Sequence, residues 1–228
     1  MKSEYNIIGS PPSFDAARKR LLNFIDIVLL DFKVLSVDKE GNLKTSEDAI
    51  TEDLADFLDN KSELLSQDLG TSFRFTNQSQ RKSDIGVKFG RGYTAINREP
   101  ICWIEAKRLP TPKRNDRDER EYVFVDKKKF KGNGGMQRFK EGKHAPELSY
   151  SIMIGYIQEN DSNYWLLKIN TWITELANMD SEHWSKDECL QKYSYNKCNR
   201  FLSTHKRNSK TDITLYHFWI SLKYNPHK

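Results

Sequence analysis

The run ICWIEAK, from Ile101 to Lys107, constrains this chain more than any other stretch. It is short and almost wholly apolar, which suits a buried strand, yet it ends on Glu105 and Lys107. Side chains alternate across a strand, so these two charges share one face. The fold must bring solvent or a partner to them, because burying unpaired charges is costly.

The flanking pattern supplies the elements around that strand. Pro11-Pro12-Ser13 reads as a helix start with Ser13 as N-cap. From Phe14 to about Phe32, Leu21, Phe24, Ile25 and Leu29 fall on one side at helical spacing. A second helix is expected from about Glu47 to Leu65, capped by Thr45 or Ser46, with Ile50, Leu54, Phe57 and Leu58 as its packed face. After the polar stretch FTNQSQRKS come two extended segments, Asp84–Phe89 and Ile101–Lys107, joined by the Gly- and Pro-bearing GRGYTAINREP. The charged segment from Pro110 to Gly135 lacks apolar periodicity and reads as a mobile loop. Short helices are expected near Met136–Lys140 and Ala145–Tyr150, then a buried strand IMIGYIQ, a helix NYWLLKINTWITEL and a final strand ITLYHFWISL. Helices, an antiparallel meander, then mixed helix and strand imply an α/β class with a central sheet flanked by helices.

A hairpin centred near Ala95 sets Asp84 opposite about Ala106, so Asp84, Glu105 and Lys107 converge at one end of the sheet. Neighbouring carboxylates repel and raise their own pKa unless a cation joins them. Hard oxygen ligands of this kind favour Mg²⁺, with Mn²⁺ as a substitute, and the Ala106 carbonyl is a further candidate ligand. Lys107 is placed to orient or deprotonate an attacking water, or to stabilise charge on a phosphate. Glu47 projects to the same side as Leu54 and Leu58, whereas Glu52 points nearly opposite. Glu47 is either an auxiliary acid of this site or a first-turn acid favoured by the helix macrodipole.

Asp84, about twenty residues, then Glu105-Ala106-Lys107 after an apolar strand and behind a helix bearing Glu47, resembles the PD-(D/E)xK nuclease superfamily. That group includes restriction endonucleases, junction resolvases and repair nucleases. The resemblance spans roughly Glu47 to Lys168, and Ser83 stands where the pattern usually has proline. It implies a restriction-endonuclease-like core, a mixed and mostly four-stranded sheet flanked by helices. It further implies Asp84 and Glu105 as metal ligands, a catalytic Lys107 and an auxiliary Glu47. On that reading residues 1–45 are an N-terminal helical extension, 46–175 the catalytic core and 176–228 a C-terminal extension of a single nuclease domain.

Composition fits without deciding. With 228 residues and 37% hydrophobic content the chain can bury one domain-sized core. Its net charge of +5 leans mildly toward polyanions. That lean is local: from Ala106 to Lys143 there are thirteen Lys and Arg against six Asp and Glu. Lys127, Lys128, Lys129 and Lys131 are therefore candidate nucleic-acid contacts, with Gln137 and Arg138 at the opening of the following helix and Arg207 near the C-terminus. Gly132, Gly134 and Gly135 permit close backbone approach to a phosphate. Phe130 and Phe139 either stack or anchor this loop.

Other chemistry is weaker. Three cysteines without framework spacing fit a reducing compartment. The start lacks a secretory h-region, and the apolar run Leu21–Phe32 is too short and too charged to span a bilayer. A cytoplasmic protein with no membrane partner is expected. Cys189, Cys198 and His205 lack paired zinc-ligand spacing, no phosphate-binding P-loop is present, and the histidines read as structural. The expected partner is double-stranded DNA, with homodimerisation a route to cutting both strands. An RNA nuclease and a catalytically silent binding or assembly subunit are the alternatives.

Overall fold

A computed structural model describes residues 13–34, 46–69, 71–77, 84–90, 99–130, 134–193, 199–207 and 210–222. Helix α1, Phe14–Val28, starts where the Ser13 hydroxyl accepts from the Ala16 N–H at 3.4 Å. It buries Leu21, Phe24 and Ile25 and passes into a 3-10 turn at Leu29–Asp31, so the helix proper is shorter than its apolar pattern. Helix α2, Glu47–Leu64, is capped by Ser46, whose hydroxyl accepts from the Ala49 N–H at 3.3 Å; Thr45 lies outside the described residues. Ile50, Leu54 and Leu58 are buried as their spacing requires.

A single turn, α3 (Ser66–Leu69), leads into a meander of β1 (Phe73–Asn77), β2 (Ile85–Phe89) and β3 (Cys102–Leu109), each antiparallel to the next. A long loop then reaches α4 (Gly135–Lys140) and β4 (Tyr150–Ile157). Helix α5 (Ser162–Met179), a 3-10 turn at Lys186–Glu188 and strands β5 (Gln191–Lys192), β6 (Asn199–Arg207) and β7 (Lys210–Ser221) complete the order. The sheet is mixed, in the order β1-β2-β3-β4-β7-β6-β5, with β3, β4 and β7 parallel.

Two apolar cores lie on the two faces. Cys102, Ile104 and Ala106 of β3 pack with α1 and α2, as do Ile152, Ile154 and Tyr156 of β4. Leu109, Met153 and Trp219 pack on the other face with Met136 and Phe139 of α4 and Trp165, Ile169 and Trp172 of α5. Strand alternation places Glu105 and Lys107 with Leu109, on the α4 side. Gly155 of β4 pairs with both Lys107 and Trp219. A Cβ there would sit 2.4 Å from Trp219 Cδ1, so glycine is what leaves the indole its space.

The fold departs from the sequence pattern in five places. FRFTN forms β1, because Phe73 and Phe75 alternate into the α1–α2 core although the stretch that follows is polar. Residues 145–149 form turns rather than a helix, and Tyr150 opens β4. The segment FLSTHKR belongs to β6, paired with β7. The loop after β3 is anchored, not loose: Tyr122 and Val123 are fully buried. The C-terminal segment, read as an extension, supplies β7 to the middle of the sheet. Trp165, Trp172 and Trp219 are core as expected, and Trp103 is half-buried. No helix among the described residues is long and apolar enough to cross a membrane.

Candidate functional site

Strand β2 pairs with β3 at Ile85↔Ile104, one residue off the expected register, and its pairing stops there. Asp84, just before β2, fills the position where the ladder ends. Its Oδ2 accepts from the Ala106 N–H at 2.7 Å. The N–H and C=O of one strand residue point to the same side, so the Ala106 carbonyl also faces the Asp84 edge.

Glu105 is fully buried beside Lys107, Arg138 and His144. Its Oε1 lies 3.2 Å from Lys107 Nζ and accepts from Arg138 Nη1 at 2.9 Å. Its Oε2 lies 3.3 Å from His144 Nδ1, but off hydrogen-bonding geometry, so both atoms are buried without a hydrogen-bond partner. Burial would raise the Glu105 carboxyl, yet Lys107, His144 and Arg138 outweigh it and hold it down at about 2. Asp84 is treated oppositely: burial and the Glu105 charge push it up to about 7, with Lys107 and the Ala106 N–H opposing them. Burial is the larger cause, and a cation placed between the two carboxylates would oppose it.

Lys107 donates to Glu47 Oε1 at 2.7 Å, and Glu47 Oε2 accepts from the Arg108 N–H at 3.2 Å. The N-terminus of α2 thus abuts the far end of β3. Thr51 donates to the Glu47 carbonyl at 2.7 Å and meets Tyr156 Oη at 3.1 Å, which ties that first turn to β4. Burial would lower the Lys107 ammonium, but Glu105, Glu47 and Asp84 raise it well above its ordinary value. A Cβ on Gly135, at the start of α4, would touch Lys107 Cγ at an ordinary 3.6 Å and crowd Met153 Cε at 2.6 Å.

The structure gathers Asp84, Glu105, Ala106, Lys107, Glu47 and Arg138. It adds His144 and Arg117, whose Nη2 lies 4.0 Å from Glu47 Oε2. Neither carried a sequence signal, since both sit in polar loop stretches without periodicity. The other basic candidates diverge. Lys127 pairs with Glu141 at 3.1 Å, Lys129 approaches Asp126 at 3.9 Å, and Lys128 is exposed. Lys131 and Gly132 lie outside the described residues.

Two candidates are spent on the fold. Gln137 Oε1 accepts from the Gly134 and Val125 N–H groups, and its Nε2 donates to Glu141 at 2.9 Å. Arg207 is buried with its guanidinium on the carbonyls of Ala145, Pro146 and Leu148. In both cases the side chain closes a polar loop, and of the Arg207 guanidinium only the buried Nε is left without a partner.

For a divalent cation the donors on hand are two carboxylates and one carbonyl, all oxygen. Among the described residues no three Asp, Glu, His or Cys side chains gather at metal-binding distance. The remaining positions would fall to water and phosphate, as Mg²⁺ prefers. The orphaned Glu105 Oε2 and the raised Asp84 carboxyl fit such a cation.

A second polar chain runs through the α5-side core. Tyr122 Oη meets His217 Nδ1 at 2.8 Å, His217 Nε2 meets Ser203 Oγ at 2.8 Å, and Ser203 Oγ meets His205 Nε2 at 2.7 Å. His205 Nδ1 then meets Glu188 Oε2 at 3.1 Å. Glu, His and Ser in that order resemble a nucleophile relay. Here Ser203 is buried with its hydroxyl between two imidazoles, so no substrate reaches it. Burial lowers both imidazoles, His217 furthest, and the chain is a structural one.

No protein-family model, curated protein or solved structure matches this chain.

Proposed function

We propose that this chain is a Mg²⁺-dependent nuclease of restriction-endonuclease-like fold that hydrolyses phosphodiester bonds, most readily in DNA. The observation that carries this reading is the meeting of Asp84, Glu105, Lys107 and Glu47 at the open end of β2 and β3. Four strands, β1 to β4, with α2 and α4 against them, also suit the core that the resemblance implies.

Asp84, Glu105 and the Ala106 carbonyl are the groups that would hold the cation. When bound it supplies an acidified water and neutralises charge on the phosphate. Lys107 stays charged, so its role is to orient the attacking water and stabilise phosphate charge, not to remove a proton. Glu47 positions that ammonium and holds the Arg108 backbone. Arg138 is 28% exposed at its side chain and can exchange Glu105 for a phosphate oxygen. Lys127, Lys128 and Lys129 offer solvent-facing charge for the nucleic-acid backbone. Cutting both strands with one such site requires two chains or two visits.

A second reading has its own observation. Lys107 and Arg138 already pair with Glu105, so the cluster can stand as a structural ion-pair network in a binding or assembly subunit. Thermal unfolding with and without Mg²⁺ or Mn²⁺ separates the two. Metal stabilisation that depends on Asp84 supports the nuclease; its absence supports the silent subunit.

A further inference from the structure

Helix α4 has a second face. Arg138 turns to Glu105, while Gln137, Lys140 and Glu141 line a cavity of about 470 Å³ on the other side. Lys206 and Arg207, at the end of β6, form its opposite wall. Neighbouring strand residues ordinarily point to opposite faces. The register shift between His205 and Arg207 is the irregularity that lets both border one cavity.

Charge there is unevenly balanced. Glu141 is shared by Lys127, at 3.1 Å, and Lys143. Asp180 is 2.8 Å from His183, and Lys140 is 2.5 Å from Glu188. Each carboxylate thus has its partner. Lys206 is exposed, and its ammonium pairs with no carboxylate among the described residues. Arg207 hydrogen-bonds to neutral carbonyls, with the Glu147 and Asp212 carboxylates acting on its charge from further off, and its Nε is buried without a hydrogen-bond partner.

The aromatic rings nearby are already covered. The Lys140 ammonium sits 4.8 Å over Trp184 and the Arg120 guanidinium 5.5 Å over Phe124. A nucleobase would have to displace these cations to stack. An anion would not.

We infer that the cavity is a phosphate subsite, in which Lys206 contacts the anion and the fixed charge of Arg207 stands behind it. That the phosphate belongs to a nucleic-acid strand crossing α4 from the Glu105–Lys107 cluster rests on the nuclease reading. A free phosphate group is the other source.

The test uses the full chain in EDTA, so that nothing is cut. Binding of a labelled DNA duplex is followed by anisotropy across a salt series, and inorganic phosphate binding by calorimetry. Wild type is compared with Lys206→Gln and Lys206→Arg at matched Tm. For a backbone phosphate, Lys206→Gln weakens duplex binding several-fold and makes its salt slope shallower by about one unit, while Lys206→Arg retains both. If wild type binds inorganic phosphate but no duplex, and Lys206→Gln loses the phosphate, the subsite stands and the nuclease reading fails. If Lys206→Gln binds duplex and phosphate as wild type does, the subsite is overturned and the acid cluster is untouched.

Discussion

The carboxylate of Asp84 accepts a hydrogen bond at 2.7 Å from the backbone N–H of Ala106, the residue that separates Glu105 from Lys107. One side chain from before β2 therefore caps the open edge of β3 at the point where the two charges emerge. Asparagine can keep this bond through its side-chain oxygen while giving up the charge.

Asp84→Asn should separate stability from metal response. The wild-type carboxyl moves from an ordinary 3.8 up to about 7 on folding. Between those values the folded chain holds more protons than the unfolded one, so this group's contribution to stability falls as pH rises from about 4 through 7. The upper bound is roughly 4 kcal/mol. Asp84→Asn should unfold at higher temperature than wild type at pH 8, and the gap should close toward pH 4. The same variant should lose any Mg²⁺-induced rise in Tm. A pH series of thermal melts, with and without Mg²⁺, checks both.

Lys107→Met should destabilise the chain as well as inactivate it. It leaves Glu105 buried beside Asp84 and Glu47 with one cation fewer. Breaking such a pair costs about 3 kcal/mol, or roughly 6–12 °C for a chain of this size. Adding Glu105→Gln should return part of the loss, because the stranded charge is then gone. Equal melts for wild type and the single variant would contradict the coupling.

The two glycines at the start of α4 should behave differently. A Cβ on Gly134 would lie 2.3 Å from Phe124 Cα and 2.4 Å from Phe124 N, which are backbone atoms that cannot yield. Gly134→Ala should cost about 2–3 kcal/mol. On Gly135 the closest atom is the flexible end of Met153 at 2.6 Å, with the Tyr122 carbonyl at 3.0 Å. Gly135→Ala should cost less stability but, by crowding Met153 and the Tyr122 carbonyl, move α4 and with it Arg138, and lower cutting more than tenfold. Paired melts and turnover measurements distinguish them.

Ser203→Ala should do the reverse. It strips one hydrogen-bond partner from each of His205 and His217, at about 1–3 kcal/mol. Cutting should stay at the wild-type rate below the melting transition, and a serine-reactive phosphonate should leave the protein unlabelled. Loss of activity at full folding would make this chain part of the chemistry.

The convergence of Asp84, Glu105, Lys107 and Glu47 was legible because each obeys a short-range rule: alternation along β3, helical phase in α2 and the reach of one hairpin. His144 and Arg117 were not, since long-range packing brings them in from aperiodic loops. The loop-closing bonds of Gln137 and Arg207 were hidden for a related reason. A sequence shows a polar side chain but not the backbone groups that will claim it. Strand β1 was masked by the polar residues after it, and β6 by its polar run from Ser203 to Arg207, whose alternation shows only in burial. The buried anchor at Tyr122 lay inside a charged stretch, where the four apolar residues Tyr122 to Val125 are too short a run to show a period.

The most direct measurement is cleavage of supercoiled plasmid, single-stranded DNA and RNA by wild type and Lys107→Met, in Mg²⁺, Mn²⁺ or EDTA. The account predicts nicking or linearisation of plasmid that requires the cation and disappears in the variant. Metal-independent cutting, or an intact and folded wild type that cuts none of the substrates, would contradict it.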